Sequence, residues 1–261
     1  MPVSLDQILE STRGGLGQVH ARRGTLERDA ADSQVPPSFR TALQKESVGV
    51  IAEVKRRSPS AGAIREDLDP GERGALYAEH GAAAISVLTD GPYFGGSIED
   101  LRTVARRSSI PVLRKDFILD EVQILEARAA GAAAVLLIVR ALESRLQPLL
   151  RCAAALGLDA MVEVHTAEEL DLALEMGGSI IGVNSRDLDT FKIDVDAAWK
   201  ILARVPAGCI AVAESGMARA VDVERAAAAG ADAVLIGTAL SAAASPSELL
   251  HDLTGVARRG R

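Results

Sequence analysis

Eight short apolar runs recur along the chain, and their number and regularity constrain the fold more than any other feature. They are VGVIAEV (48–54), AAAISVLT (82–89), IPVLR (110–114), AAAVLLIV (132–139), LDAMVEV (158–164), SIIGVN (179–184), CIAVAE (209–214) and ADAVLIG (231–237). The runs are nearly continuous rather than alternating, as expected of strands buried on both faces, which a parallel sheet requires. Between them lie segments with helical spacing: LRTVARR (101–107), DEVQILEARAAG (120–131), LESRLQPLLRCAAALG (142–157), TAEELDLALEMG (166–177) and MARAVDVERAAAAG (217–230). Gly81, Gly131, Gly157, Gly177 and Gly230 stand where helices should stop before the next strand. Thr166 is expected as an N-cap, with Glu169 completing a capping box.

Strand–helix alternation repeated eight times predicts an α/β fold, a closed (β/α)8 TIM barrel. An open doubly wound sheet is the competitor. The first strand runs into KRRSPSAG (55–62) rather than a GxGxxG turn, which counts against the dinucleotide-binding version of that sheet. With 261 residues, the length suits one barrel domain. Residues 1–47 are expected to form a helical extension, with Leu5, Ile8, Leu9 and Leu16 on one helix and Phe39 and Leu43 on a second after Pro36-Pro37, packed on a barrel spanning 48–261. Aromatic residues are only 3 % of the chain, so Ala, Val, Ile and Leu must fill the core.

The formal net charge of −7 argues against nucleic acid or a membrane surface as a partner, since both need a positive field. Cys152 and Cys209 lie far apart and outside any CxxC pattern, which fits thiols in a reducing cytoplasm. The four histidines, His20, His80, His165 and His251, show no metal-ligand spacing, so no zinc site is expected. The first residues, MPVSLDQILE, lack the pattern of a signal peptide, and no apolar run is long enough to span a membrane. A cytoplasmic monomer acting on a small molecule is the expectation.

In a barrel of this kind function gathers where the strands end. The first run ends in Glu53-Val54-Lys55, the third runs into Arg114-Lys115-Asp116, and the fifth ends in Glu163-Val164-His165. The sixth ends in Asn184-Ser185-Arg186, the seventh in Glu214-Ser215-Gly216 and the eighth in Gly237-Thr238. Strand side chains alternate faces, so Glu53 shares a face with Lys55, Leu113 with Lys115, Met161 with Glu163 and Asn184 with Arg186. Any one of these charges is most simply half of a structural ion pair. Three glutamates and two lysines from separate strands at one end form a site. Ser-Gly after the seventh strand and Gly-Thr after the eighth offer backbone N–H groups and hydroxyls where such barrels hold a phosphate. The glycines taken singly need only be tight turns.

The blocks IAEVKRRSPS (51–60), YFGGS (93–97), PVLRKDFI (111–118), VEVHT (162–166), IGVNSRDL (181–188), AVAESGM (211–217) and LIGTAL (235–240) resemble, in order, those of the indole-3-glycerol phosphate synthase family. The resemblance runs from about Val48 to Leu240; the first and third blocks are its most specific part. It implies ring closure, decarboxylation and dehydration of 1-(2-carboxyphenylamino)-1-deoxyribulose 5-phosphate to indole-3-glycerol phosphate, in tryptophan biosynthesis, without metal or organic cofactor. It further implies Lys115 as general acid, with Asp116 and Glu53 as candidates to orient it, and Glu163 as base. Glu53 and Lys55 would assist the departing hydroxyl, and Glu214 would order the network. Asn184 and Arg186 would position the substrate, while Ser58, Ser215, Gly216, Gly237 and Thr238 would cradle its phosphate beside Lys55. Phe94, Phe117, Leu136 and Leu188 are expected to wall the aromatic ring.

Four positions depart from the pattern. Ala61 stands where a lysine is expected after SPS, which bears on closure of the first loop, and Thr238 stands where serine or glutamate is more usual. Arg114 and Ser185 differ at positions expected to be tolerant of change, Arg114 facing helices or a loop. Two rival readings remain at this level: another phosphate-barrel enzyme, such as a phosphoribosyl isomerase, and a barrel that binds a phosphate ligand without catalysis. The pairing of EVK with RKD favours the synthase over the isomerase, and the intact set of three glutamates and two lysines favours it over a non-catalytic barrel.

Overall fold

The computed structural model describes residues 3–260. Eight strands form a closed parallel barrel: β1 (Gly49–Val54), β2 (Ala84–Leu88), β3 (Val112–Lys115), β4 (Ala134–Ile138), β5 (Asp159–Val164), β6 (Ile180–Asn184), β7 (Ile210–Glu214) and β8 (Ala233–Ile236). Each pairs with its sequence neighbours, and β1 closes the ring on β8 through Gly49 opposite Ala233 and Ile51 opposite Leu235. All eight lie within the apolar runs or overhang them by one residue, as Lys115 does on β3. The competing open sheet is excluded by the closure.

The connecting helices follow the expected spacing, and the five expected stop glycines all take positive φ, between 71° and 95° for Gly81, Gly131, Gly157 and Gly177 and 99° for Gly230. The segment 142–157 departs from one continuous helix. After β4 a short α-turn, Val139–Leu142, gives way to a 3-10 turn at Glu143–Arg145, and the helix proper is Leu146–Ala155. Glu143 joins them at a φ of 47°, a conformation that breaks the helical hydrogen-bond ladder.

The first residues form three helices where two were expected: α1 (Leu5–Ala21), α2 (Arg23–Asp32) and α3 (Phe39–Leu43). The missed α2 is mostly polar and buries only Leu26 and Ala30, against Val122 and Leu125 on the helix after β3, Glu121–Ala129. Two buried positions in ten residues make too thin a stripe to announce an amphipathic helix. On α3, Phe39 and Leu43 are fully buried, and Leu43 packs beside Gly49 at the start of β1, so α3 stoppers the end of the barrel where strands begin. Truncating Phe39 to alanine there would cost about 3–5 kcal/mol. Helix α1 runs to the opposite end: its buried Leu5 and Ile8 border the cavity into which the strands deliver their polar ends.

Candidate active site

A cavity of about 520 Å3 opens at the C-terminal ends of the strands. All thirteen residues predicted for the site line it: Glu53 and Lys55 after β1, Ser58 in the following loop, Phe94 after β2, Lys115, Glu163, Asn184, Arg186, Glu214, Ser215, Gly216, Gly237 and Thr238. Phe94 and Phe117, with ring centroids 6.2 Å apart, share the wall with Leu136 and Leu188, as expected of an apolar slot. Leu5 and Ile8 from α1, and Phe191 and Ile193 from the loop after β6, complete it and were not foreseen.

The strand register gathers the charges. Glu163 on β5 lies opposite Gly182 on β6, and Asn184 on β6 lies opposite Glu214 on β7. Lys115 Nζ reaches between strands to Glu163 Oε2 at 2.8 Å and Glu214 Oε2 at 3.2 Å. Lys55 Nζ pairs with Glu53 Oε1 at 2.7 Å. Asn184 Nδ2 donates to Glu163 Oε1 at 3.2 Å, and the Arg186 backbone N–H donates to Asn184 Oδ1 at 3.0 Å, which sets the orientation of the amide. The Arg186 guanidinium donates to the Phe191 carbonyl at 3.1 Å, tying the far side of its own loop.

Burial and charge pull these groups in opposite directions. Burial alone would strip the proton from Lys115, but Glu163, Glu214 and Glu53 outweigh it and raise its pKa above the ordinary lysine range. Burial also opposes ionisation of Glu163, yet Lys115 and His165 overcome it and hold its pKa down, to about 2. Glu214 goes the other way. Burial is the largest influence on it, and Glu163 and Glu53 add repulsion that the attraction of Lys115 does not cancel, so its pKa is pushed up to about 8. The two glutamates that share Lys115 are thus driven apart: Glu163 stays ionised while Glu214 holds a proton far more tightly.

Two glycines make room for it. A Cβ on Gly182 would lie 2.2 Å from Glu214 Oε1, and one on Gly237 would lie 2.1 Å from Glu53 Oε1. Gly237 was singled out for the phosphate cradle, with a tight turn as the simpler reading; its φ is −117°, and what demands a glycine there is this close approach. Gly182, in the middle of a strand, was missed. A glycine inside an apolar run is itself the signal of such an approach. Ser215 and Gly216 take consecutive positive φ values of 66° and 77°, folding the turn after β7 so tightly that a Cβ at 216 would meet Val195 Cγ1 at 2.6 Å.

Two expectations about the RKD stretch are corrected. Asp116 does not orient Lys115. Its carboxylate takes hydrogen bonds from Thr89 Oγ1 at 2.5 Å and from the Arg114 guanidinium at 3.0 Å, and none from Lys115. Arg114 does face the helices, but it is not a tolerant surface position. It is 4 % exposed, pairs with Asp116 and with Glu126 at 3.0 Å each, and donates to the Gln123 carbonyl at 2.7 Å. Alternation along β3 thus sends Lys115 into the cavity and Arg114 into a buried ion network that fastens the strand to its helix. Glu53, the other candidate partner of Lys115, acts on it through charge while its direct ion pair is with Lys55.

The capping box at Thr166 is also altered. Thr166 Oγ1 accepts from the Glu169 N–H at 3.2 Å as expected, but the Glu169 carboxylate reaches past Thr166 to accept from the His165 N–H at 2.7 Å. Among the described residues, no group of three or more His, Cys, Asp or Glu side chains could hold a metal ion, and no helix is long and apolar enough to cross a membrane.

A parallel barrel with lysines and carboxylates interlocked at its C-terminal mouth defines a (β/α)8-barrel enzyme equipped for acid–base chemistry. The fold is shared with 3-hexulose-6-phosphate synthase from Salmonella typhimurium at a TM-score of 0.62 and 15 % identity, over 79 % of this chain and 96 % of that one. The family model for indole-3-glycerol phosphate synthase matches residues 5–253. Curated proteins of that name are similar along most of their length. The one from Mycobacteroides abscessus is 46 % identical over 95 % of this chain and 93 % of its own, and the one from Chlorobium chlorochromatii is 47 % identical over 90 % and 94 %. A third, from Leptospira interrogans, is 50 % identical over 77 % and 80 %. The chain belongs to the indole-3-glycerol phosphate synthase family, the carboxy-lyases that form the indole ring in tryptophan biosynthesis.

Proposed function

We propose that the cavity binds 1-(2-carboxyphenylamino)-1-deoxyribulose 5-phosphate and that Lys115 is the general acid of ring closure. When the ring carbon bearing the carboxylate attacks the sugar carbonyl, negative charge grows on the carbonyl oxygen and needs a proton. Lys115 supports this role by its position: its ammonium is held between Glu163 and Glu214 yet lies at the cavity surface, ready to leave one of them for the substrate oxygen. Carbon dioxide then leaves, and its bonding electrons restore the aromatic ring. In the dehydration the hydroxyl departs as water, with its proton supplied from the Lys55–Glu53 pair, and Glu163 takes the proton lost from the neighbouring carbon. Low proton affinity in the resting enzyme keeps Glu163 ionised for that task.

Asn184 and Arg186 hold the substrate carboxylate, for which a guanidinium fork is suited. Ser58, Ser215, Gly216, Gly237 and Thr238 cradle the phosphate, with Lys55 as a point charge beside them. Phe94, Phe117, Leu136 and Leu188 stack around the aromatic ring. The cavity volume suits a ligand of this size. We read the protein as a cytoplasmic monomer formed as one barrel domain with a helical extension at 1–47. Its large apolar side chains that stay exposed, Val35, Ile193 and Val221, are few and scattered.

The observation that carries the proposal is the contact of Lys115 with both Glu163 and Glu214 inside the cavity. Lys115→Met tests it. Indole absorbance after addition of the ribulose phosphate should fall by about 100-fold or more while the melting curve persists. A variant that forms indole at the wild-type rate removes Lys115 from the chemistry. Isomerisation of a phosphoribosyl substrate without indole formation would favour the rival barrel enzyme.

A further inference from the structure

His165 is buried behind Glu163, with a side chain only 4 % exposed, and the proposed chemistry gives it no role beyond its charge effect on that carboxylate. Its two ring nitrogens face two different carboxylates. Nδ1 lies 3.3 Å from Glu169 Oε2, and Nε2 lies 3.4 Å from Glu163 Oε1. Glu169 is itself fixed: it accepts the His165 backbone N–H at 2.7 Å and the Arg140 Nε–H at 3.1 Å, and Arg140 is braced by Asp187 and Asp189 at 3.5 Å each. The imidazole is therefore clamped on its Glu169 side. On the Glu163 side the approach lies outside hydrogen-bond geometry, and Nε2 is buried without a hydrogen-bond partner.

A ring that merely filled space would not need a polar atom there, because an unsatisfied buried nitrogen costs about 1–3 kcal/mol. The two oxygens of Glu163 are divided between partners. Oε2 takes Lys115; Oε1 takes the Asn184 amide and faces His165. When Lys115 turns to the substrate oxygen, Glu163 loses its ammonium. A small turn of the carboxylate then completes the bond from Nε2–H to Oε1.

We propose that His165 is a positioning residue for Glu163, its imidazole, anchored through Glu169 to Arg140, holding the carboxylate by Oε1 while Lys115 engages the substrate. This rests on the reading of Glu163 as the base, and it adds a residue that works through Glu163 without touching substrate. The charged and titratable groups around the imidazole are Glu163 and Glu169 directly, Lys115 behind Glu163, and Arg140 with Asp187 and Asp189 behind Glu169.

Two substitutions separate positioning from packing. His165→Asn keeps an amide near the Nδ1 position, able to reach Glu169 but not Glu163. His165→Gln carries an amide nitrogen out to the Nε2 position. For indole formation, His165→Asn should lower kcat roughly tenfold with KM little changed, since a displaced catalytic group costs rate rather than binding. The acid limb of its kcat–pH profile should move to higher pH, because Glu163 then ionises less readily. His165→Gln should recover most of kcat and the limb. An unchanged kcat and limb in His165→Asn overturns the proposal, as does an equal loss in both variants that tracks a fall in melting temperature. If neither variant folds, Glu169→Gln loosens the clamp from behind and should lower kcat about threefold; an unchanged rate there overturns it. Glu163→Gln run alongside keeps the two readings apart. If it is inactive while His165→Asn is normal, only the positioning role fails; if it is fully active, the base assignment fails first.

Discussion

Gly182 and Glu214 occupy adjacent strands so closely that a single methyl group on the glycine would stand 2.2 Å from Glu214 Oε1. The carboxylate that meets Lys115 thus owes its place to an absent side chain on β6. Gly182→Ala should push Glu214 aside and disturb its contact with Lys115. The expected result is a kcat lower by roughly tenfold, as for small displacements of reacting groups, with the far-UV spectrum unchanged. Steady-state indole formation beside circular dichroism checks it, and a fully active alanine variant shows that the carboxylate relaxes at no cost.

Glu214 also makes stability depend on pH. Its pKa is about 8 in the folded chain against 4.5 as a free side chain, so the folded state binds the proton more tightly than the unfolded state does. Stability is therefore undiminished below about pH 4.5 on its account and declines as pH rises toward 8. Glu163 works in the opposite sense: with a folded pKa of about 2, its contribution is present above pH 4.5 and is lost as pH falls from there to 2. Of the two, only Glu214 contributes a slope between pH 5 and 8. Melting temperatures across that range should fall for the wild type and level out for Glu214→Gln. Parallel slopes in the two proteins would place the proton elsewhere.

Arg114 serves the fold. Arg114→Met leaves Asp116 and Glu126 buried with less compensation, and breaking a buried pair costs about 3–5 kcal/mol. Urea unfolding should show a loss of that order, while kcat of the folded fraction stays near wild type, because the guanidinium lies on the helix side of β3. A normal midpoint would mean that Arg22, which also pairs with Glu126, suffices.

Ala61 lines the cavity beside Ser58, whose Oγ accepts the Ala61 N–H at 3.2 Å. Restoring a cation there, Ala61→Lys, should strengthen binding of the doubly charged phosphate by an exposed pair's worth, up to about 1 kcal/mol. KM should drop by as much as about fivefold at low salt, an advantage that shrinks as ionic strength rises. A KM that is equal at all salt concentrations would show that the side chain at 61 points away from the bound phosphate.

The strands were legible because their signals, continuous apolar runs, are local. The charged ends of five runs, with alternation of faces, pointed to one mouth, and the cavity there is lined by all of them, whereas Ser58 and Phe94 entered only through the family resemblance. The structure added what depends on neighbours in space. Asp116 is adjacent to Lys115 in sequence, yet its carboxylate is engaged by Thr89 and Arg114 and not by Lys115. Gly182 acquires meaning only from Glu214, 32 positions later, through the register of β6 on β7. His165 reads as a residue just past a strand until Glu169 and Glu163 are found on either side of it. Helix α2 escaped notice because it buries only Leu26 and Ala30, and those against a helix a hundred residues further along.

The two ends of the described chain sit at opposite poles of the barrel. Helix α1 brings Leu5 and Ile8 to the cavity rim, whereas the tail bridges Ala257 to Ser47 below the start of β1, and Arg258 fastens to Asp232 there. Tethering this enzyme to a bead, an electrode or a second protein is therefore direction-dependent: a leash on the tail leaves the entrance unobstructed, and one on the leading helix hangs its cargo over the doorway.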